Sequence, residues 1–274
     1  MTRQEFLKLC SLVVAGTLLP TESKATSIRM PVLFFGHGSP MNIVLDNEFT
    51  QMLKETGKHL PKPKVILVIS AHWEENETLL STVSETETIY DFGGFPSELY
   101  EVSYPTKGSQ ALADRLNIKT TQRGLDHGAW SILRYLFPKA DIPTMQLSIN
   151  RNLSLQEHFE MGQQLALLRE HGVLIIGSGS VTHNFKYFDH HNIAATPPES
   201  AEIFDHYVKQ AIEKREFWKL IKPDNELLKE SHPTLEHYIP LLYIAGLVDD
   251  KESSQFLYEG FQYGAFSMRA WQIG

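Results

Sequence analysis

Cysteine is nearly missing from this chain: Cys10 is the single one in 274 residues. No internal disulfide can form, and a thiolate metal cage is excluded, so any metal here must be held by imidazole and carboxylate. Basic charge is also in short supply. Lys and Arg number 25 against 33 Asp and Glu, for a net charge of −8. With no basic stripe to offset repulsion, nucleic acid and anionic membrane are excluded as partners. Internal repeats, low-complexity tracts and a linker after the first residues are lacking too, which argues for one domain. What the chain does have is an ordinary soluble composition, 42% hydrophobic and 21% charged, enough for a sizeable core.

Residues 1 to 25 read differently from the rest. A basic start is followed by the apolar run Leu9 to Leu19, then Pro20 and Ser23-Lys24-Ala25. That run is too short for a membrane span and matches an export signal with cleavage after Ala25. The opening resembles a twin-arginine signal in which Gln4 stands in place of the second arginine. A periplasmic or otherwise exported mature protein, free of the membrane, is the expectation.

From Pro31 onward the chain alternates apolar β-type runs with helical stretches. Pro31 to Phe35 stops at Gly36-His37-Gly38, and Lys64 to Ser70 stops at Ala71-His72-Trp73. Val173 to Gly177 runs through Ser178-Gly179-Ser180 to Thr182-His183-Asn184. Open α/β sheets bind ligands beyond the carboxyl ends of their strands. Three strands that each deliver a histidine to that rim point to a metal or acid–base site. The pattern predicts an α/β fold: a single domain over residues 30–274, with a central mixed sheet flanked by helices and the active site at the strand carboxyl ends. Strands are expected at Leu79–Ser84 and Thr144–Ile149, with closing strands in Phe256–Met268. Helices are expected from Asp46 as cap to Gly57, at Ser109–Leu116 and at Trp130–Leu136. Further helices are expected from Ser154 to about Glu170, over 198–221 in two pieces, and within His232–Gly246 with His237 in the first turn. Ile89 to Pro105 reads as a long aromatic loop. Its Phe92, Phe95, Tyr100 and Tyr104 suit a wall for a flat apolar ligand.

Six short motifs occur in order: Gly36-His37-Gly38-Ser39-Pro40-Met41, Ser70-Ala71-His72-Trp73, Asp91-Phe92-Gly93-Gly94-Phe95-Pro96, Asp126-His127-Gly128-Ala129-Trp130, Gly177-Ser178-Gly179-Ser180 and His232-Pro233-Thr234-Leu235-Glu236-His237. As an ordered set, spanning residue 30 to the end, they resemble the class III extradiol ring-cleaving dioxygenases, in the 4,5-DOPA extradiol dioxygenase branch. The resemblance implies a non-haem iron(II) enzyme that opens a catechol with O2 next to the two hydroxyls, giving a muconic semialdehyde. It implies His37 and His72 as metal ligands, with His237 at the position of the third, a glutamate in the wider class. Glu236 and His232 remain alternatives for that bond. His183 matches the acid–base histidine and His127 a histidine of the substrate pocket; His232, Phe95 and Tyr100 are expected around the substrate or behind the ligands. Three imidazoles also make zinc a credible occupant. A catechol must lose protons to chelate, and histidine is the side chain that titrates near neutrality. The partners expected are a small catechol and O2, on a monomer or small homo-oligomer. A zinc hydrolase and a non-catalytic binding protein on the same fold are the other two readings.

Overall fold

The apolar runs do become the strands of one sheet. The computed structural model describes residues 29–274, so the export segment read at 1–25 lies outside the described residues. The strands are β1 (Val32–Gly36), β2 (Val65–Glu75), β3 (Glu85–Thr86), β4 (Thr106–Lys107), β5 (Thr144–Asn150), β6 (Val173–Gly179), β7 (Ser254–Tyr258), β8 (Phe261–Gln262), β9 (Phe266–Ser267) and β10 (Ala270–Ile273). Six of them form the central sheet in the order β5-β2-β6-β1-β10-β7. β5, β2, β6 and β1 run parallel. β10 is antiparallel to β1, and β7 to β10, so the sheet is mixed.

The parallel strands are apolar on both faces, as strands covered on both sides must be. Val32, Phe34, Leu67, Ile69 and Ile175 serve one core; Leu33, Phe35, Ile66, Val68 and Ile176 serve the other. The helices are α1 (Glu48–His59), α2 (Gln110–Leu116), α3 (His127–Leu136), α4 (Leu155–Leu165), α5 (Glu199–Glu213), α6 (Trp218–Ile221), α7 (Asn225–Ser231) and α8 (Ile239–Gly246). α1 and α3 cover the second face, while α4, α5 and α8 cover the first. Every residue of α8 is buried, which suits a helix that is apolar all round.

Several boundaries differ from the sequence expectations for local reasons. α1 begins after Asn47, whose side chain and that of Thr50 form a reciprocal cap, and Asp46 pairs with Lys54 instead. α3 starts earlier than Trp130, at His127, because Asp126 caps it. The helix opened by Ser154 stays α-helical only to Leu165, then tightens into a 3-10 turn over Ala166–His171 that Gly172 ends at φ 81°. Leu79–Ser84 is not a strand. Ser148 Oγ takes the Leu79 amide at 2.8 Å, and Leu80 makes only isolated bridges to Thr120 and Leu147. His237 precedes α8, whose N-cap is Tyr238, and does not sit in its first turn. No helix among the described residues is long and apolar enough to cross a membrane.

Candidate active site

The parallel strands bring their carboxyl ends to one rim. His37 follows the last residue of β1, and its amide continues the ladder to Gly179 O at 3.0 Å. His72 lies within β2, which runs past the Ser70 expected as its end. Its pairing with β6 finishes at Ser70, and its pairing with β5 is interrupted between Ile69 and Glu74, so His72 sits on an irregular stretch that aims it inward. His183 comes four residues after β6 and bridges to Phe266. His237 is delivered by a close backbone approach: a Cβ on Gly179 would lie 2.2 Å from His237 O, so only glycine fits there. Ser180 N then donates to that same carbonyl at 2.9 Å.

The rings of His37, His72 and His237 form a near-equal triangle, with centroids 5.0, 5.4 and 5.0 Å apart. His127 is 4.0 Å from His72, and His183 stacks on His237 at 3.5 Å with the ring planes 6° apart. The ligating atoms of His37, His72 and His127 lie within 4.8 Å of one another, as do those of His183, Glu236 and His237.

The hydrogen bonds fix which nitrogen carries each proton. Ser178 Oγ donates to Gly128 O at 2.5 Å, so it must accept from His37 Nδ1 at 2.9 Å. His72 Nδ1 faces Asp91 at 3.2 Å, and His237 Nδ1 faces Glu236 at 3.0 Å. Carboxylates only accept, so both rings donate from Nδ1. All three are therefore left with a bare Nε2. The Nε2 atoms of His37 and His72 stand 3.0 Å apart, and His237 Nε2 is buried with no hydrogen-bond partner. Two nitrogens held at about 2.1 Å from one cation, at right angles to each other, are separated by about 3.0 Å. The facing lone pairs of His37 and His72 fit a bound metal cation, while His237 offers its ligand atom in the neighbouring group with His183 and Glu236.

The electrostatics agree with neutral rings. Burial, reinforced by the neighbouring histidines, holds His37 and His237 well below the ordinary imidazole range. Burial lowers His127 too, against the upward pull of Asp91. His183 is pushed down to about 3, by burial first and then by His232 and His72. Burial raises the Asp91 carboxyl, but the hydrogen bonds from His127 and His72 outweigh it and hold the group well below the usual carboxylate range.

These histidines open on a cavity of about 490 Å³, a size suited to one aromatic ring with a side chain. Phe95 lines it as expected, together with Phe92. Phe185, Phe188 and Phe266 complete the wall, and nothing in the sequence pattern had marked them. Tyr100 does not line the cavity; it packs behind Phe92 at 5.1 Å. Tyr104 is buried and bonds Phe137 O at 2.9 Å. His232 stands outside the lining as well, donating from Nε2 to Val181 O at 2.7 Å. Glu236 reaches the cavity but is engaged by His237 and by Thr234 Oγ1 at 3.0 Å. Neither Lys nor Arg lines the cavity. Arg123 holds the His72 carbonyl from behind at 3.1 Å, and Arg269 is spent on Asp205 and Glu259. Asp91, Ser178 and Gly179 are the functional positions that sequence motifs contained without revealing their work.

Comparison with known proteins places the chain in a family. The family described as the catalytic LigB subunit of aromatic ring-opening dioxygenase matches residues 31–269. An Escherichia coli (strain K12) protein named 4,5-DOPA dioxygenase extradiol is 40% identical over 264 residues, which is 91% of this chain and 96% of the relative. A Beta vulgaris protein of the same name is 35% identical over 262 residues, 88% of this chain and 95% of the relative. The crystal structure of an uncharacterized Escherichia coli K12 protein is similar at a TM-score of 0.76 and 38% identity, covering 90% of this chain and 100% of the other.

Proposed function

The chain belongs to the family of the catalytic LigB subunit of aromatic ring-opening dioxygenases, and from that premise we propose that it opens a catechol ring with O2 beside the two hydroxyls. The metal would be held by Nε2 of His37, His72 and His237, with iron(II) as the working ion and zinc as a competing occupant. One observation carries this reading: the bare Nε2 atoms of His37 and His72 stand 3.0 Å apart, and His237, its ring 5.4 and 5.0 Å from theirs, keeps a buried Nε2 without a partner. When bound, iron(II) supplies a Lewis acid for the catechol oxygens and an electron path to O2.

The chain's own residues do the rest. His183 lines the cavity, and among the described residues no hydrogen bond commits its ring, so it is placed to accept the proton of a catechol hydroxyl. The same imidazole returns that proton to the substrate once the ring begins to open. His127 lines the cavity beside it, its Nδ1 held by Asp91 at 3.0 Å. Phe92, Phe95, Phe185, Phe188 and Phe266 hold a flat ring and exclude water around it. The substrate is a catechol with a neutral or amino-acid side chain, as the relatives' name suggests, because a lone ring carboxylate finds no cationic side chain in the lining.

The test is oxygen consumption by anaerobically purified, iron-loaded protein across a panel of catechols. Uptake coupled to a new semialdehyde absorption is the expected outcome. If no catechol drives oxygen uptake while the zinc-loaded protein hydrolyses esters or amides, the ring-opening reading is overturned in favour of a hydrolase, for which three imidazoles also serve.

A further inference from the structure

Asp91 lies on the aromatic loop and touches two of the site histidines from outside the set of proposed ligands. Its Oδ2 is 3.2 Å from His72 Nδ1. Its Oδ1 is 3.0 Å from His127 Nδ1 and 2.8 Å from the backbone N–H of His127, the first residue of α3. Three N–H donors on two oxygens over-determine where this carboxylate sits. The backbone bond also satisfies one of the donors left open at the start of a helix. The other two anchored rings have private acceptors: His37 uses Ser178 and His237 uses Glu236. Asp91 alone, among the described polar contacts of the site, reaches the Nδ1 atoms of two cavity rings. One of those rings is a proposed metal ligand, and the other faces the substrate.

We propose that Asp91 is a positioning residue that fixes the tautomers of His72 and His127 together, leaving Nε2 of His72 bare for the metal and Nε2 of His127 bare for a substrate hydroxyl proton. The inference rests on the ring-opening reading for the second half of that statement only. A ring that donates from Nδ1 to Asp91 keeps Nε2 as a hydrogen-bond acceptor, so His127 is placed to receive a hydrogen bond from a substrate hydroxyl in the cavity it lines. Asp91 itself lines the cavity next to Phe92, so the carboxylate that anchors both rings borders the space a ligand fills.

Asparagine distinguishes this role from simple space filling. Its amide has almost the shape of the carboxylate, yet offers one accepting oxygen and one donating NH2. With the oxygen kept for the two His127 donors, the NH2 faces His72 Nδ1 and drives that ring to carry its proton on Nε2, where it can no longer bind a metal. With the amide turned round, His127 is the ring that flips. Asp91→Asn should therefore hold metal about 10–100-fold more weakly, or lose turnover at saturating metal, or both. Turnover lost through a wrong His127 tautomer should amount to about 10²-fold or more.

Two-dimensional ¹⁵N–¹H spectra of the imidazoles, recorded on metal-stripped full-length protein near neutral pH, read the tautomers without any turnover. The wild type should show His72 and His127 protonated at Nδ1, and Asp91→Asn should show one of them protonated at Nε2. Finding either ring protonated at Nε2 in the wild type overturns the proposal, even if the variant does not fold. A folded Asp91→Asn with unchanged tautomers, metal affinity and turnover overturns it as well. Failure of the ring-opening reading looks different, because the tautomers and the metal affinity would follow Asp91 while no catechol is consumed by the wild type.

Discussion

Acid should weaken this fold through a histidine that has nothing to do with the cavity. His158 is fully buried on α4, with its Nδ1 3.2 Å from the hydroxyl of Tyr243 on α8. Burial pushes it down to about 4 from an ordinary 6.5, against a weak upward pull from Glu157. Between those values the unfolded chain binds a proton that the folded chain refuses. The contribution of His158 is thus whole above about pH 6.5, falls as the pH drops through the window, and levels off below about pH 4. The slope for one such group approaches about 1.4 kcal/mol per pH unit, so going from about pH 7 to about pH 5 removes about 2 kcal/mol. His158→Gln keeps a polar group near Tyr243 but cannot titrate. Urea unfolding of the metal-stripped proteins at several pH values gives the stability gap between wild type and variant. Carboxylates and other histidines bend both curves alike, so the gap isolates His158. It should shift by about 2 kcal/mol in the variant's favour on acidification. A gap constant to within about 0.5 kcal/mol over that range would refute the assignment of a buried, neutral imidazole.

Two further outcomes concern the site. His37→Ala and His237→Ala should lose both metal and turnover, whereas His183→Ala should keep the metal, still shift the absorption of a chelating catechol, and consume oxygen about 10²–10⁴-fold more slowly. His232→Ala should keep most of the metal, since its ring points to Val181 O; an empty site in that variant alongside a filled one in His237→Ala would exchange the two roles. Protocatechuate should be turned over worse than a catechol with a neutral or zwitterionic side chain, because the lining offers a ring carboxylate no Lys or Arg; equal kcat/KM values would count against the proposed specificity.

The rim of the sheet was legible because its signals are local. An apolar run stopped by glycine and histidine states both the strand and what stands at its end, and His37, His72 and His183 were found that way. The ordered motifs supplied His127 and His237. What stayed hidden depends on distance in the chain. Asp91 is 36 residues from its partner His127, and Ser178 is 141 from His37, so no spacing rule joins them. Local pattern misled where a side chain replaced a backbone partner. Ser148 Oγ takes the Leu79 amide, so a stretch with strand composition never joins a ladder. Similarly, the turn that ends at Tyr238 leaves His237 outside the helix, where its carbonyl can meet β6 beside Gly179.

The placement of β1 has a consequence for how the protein is made. That strand is the first in the chain yet lies inside the sheet, bonded to β6 on one side and β10 on the other. Neither neighbour exists when residues 32–36 leave the ribosome. Synthesis at about 5–20 residues per second puts His237 behind His72 by roughly ten to thirty seconds. Through that interval the nascent chain owns two of the three imidazoles and none of the sheet that would orient them. Pairings this distant in sequence also form slowly once the chain is complete. The proposed metal site is therefore completed only in the finished, folding molecule, once residue 237 and the last strands of the sheet are in place.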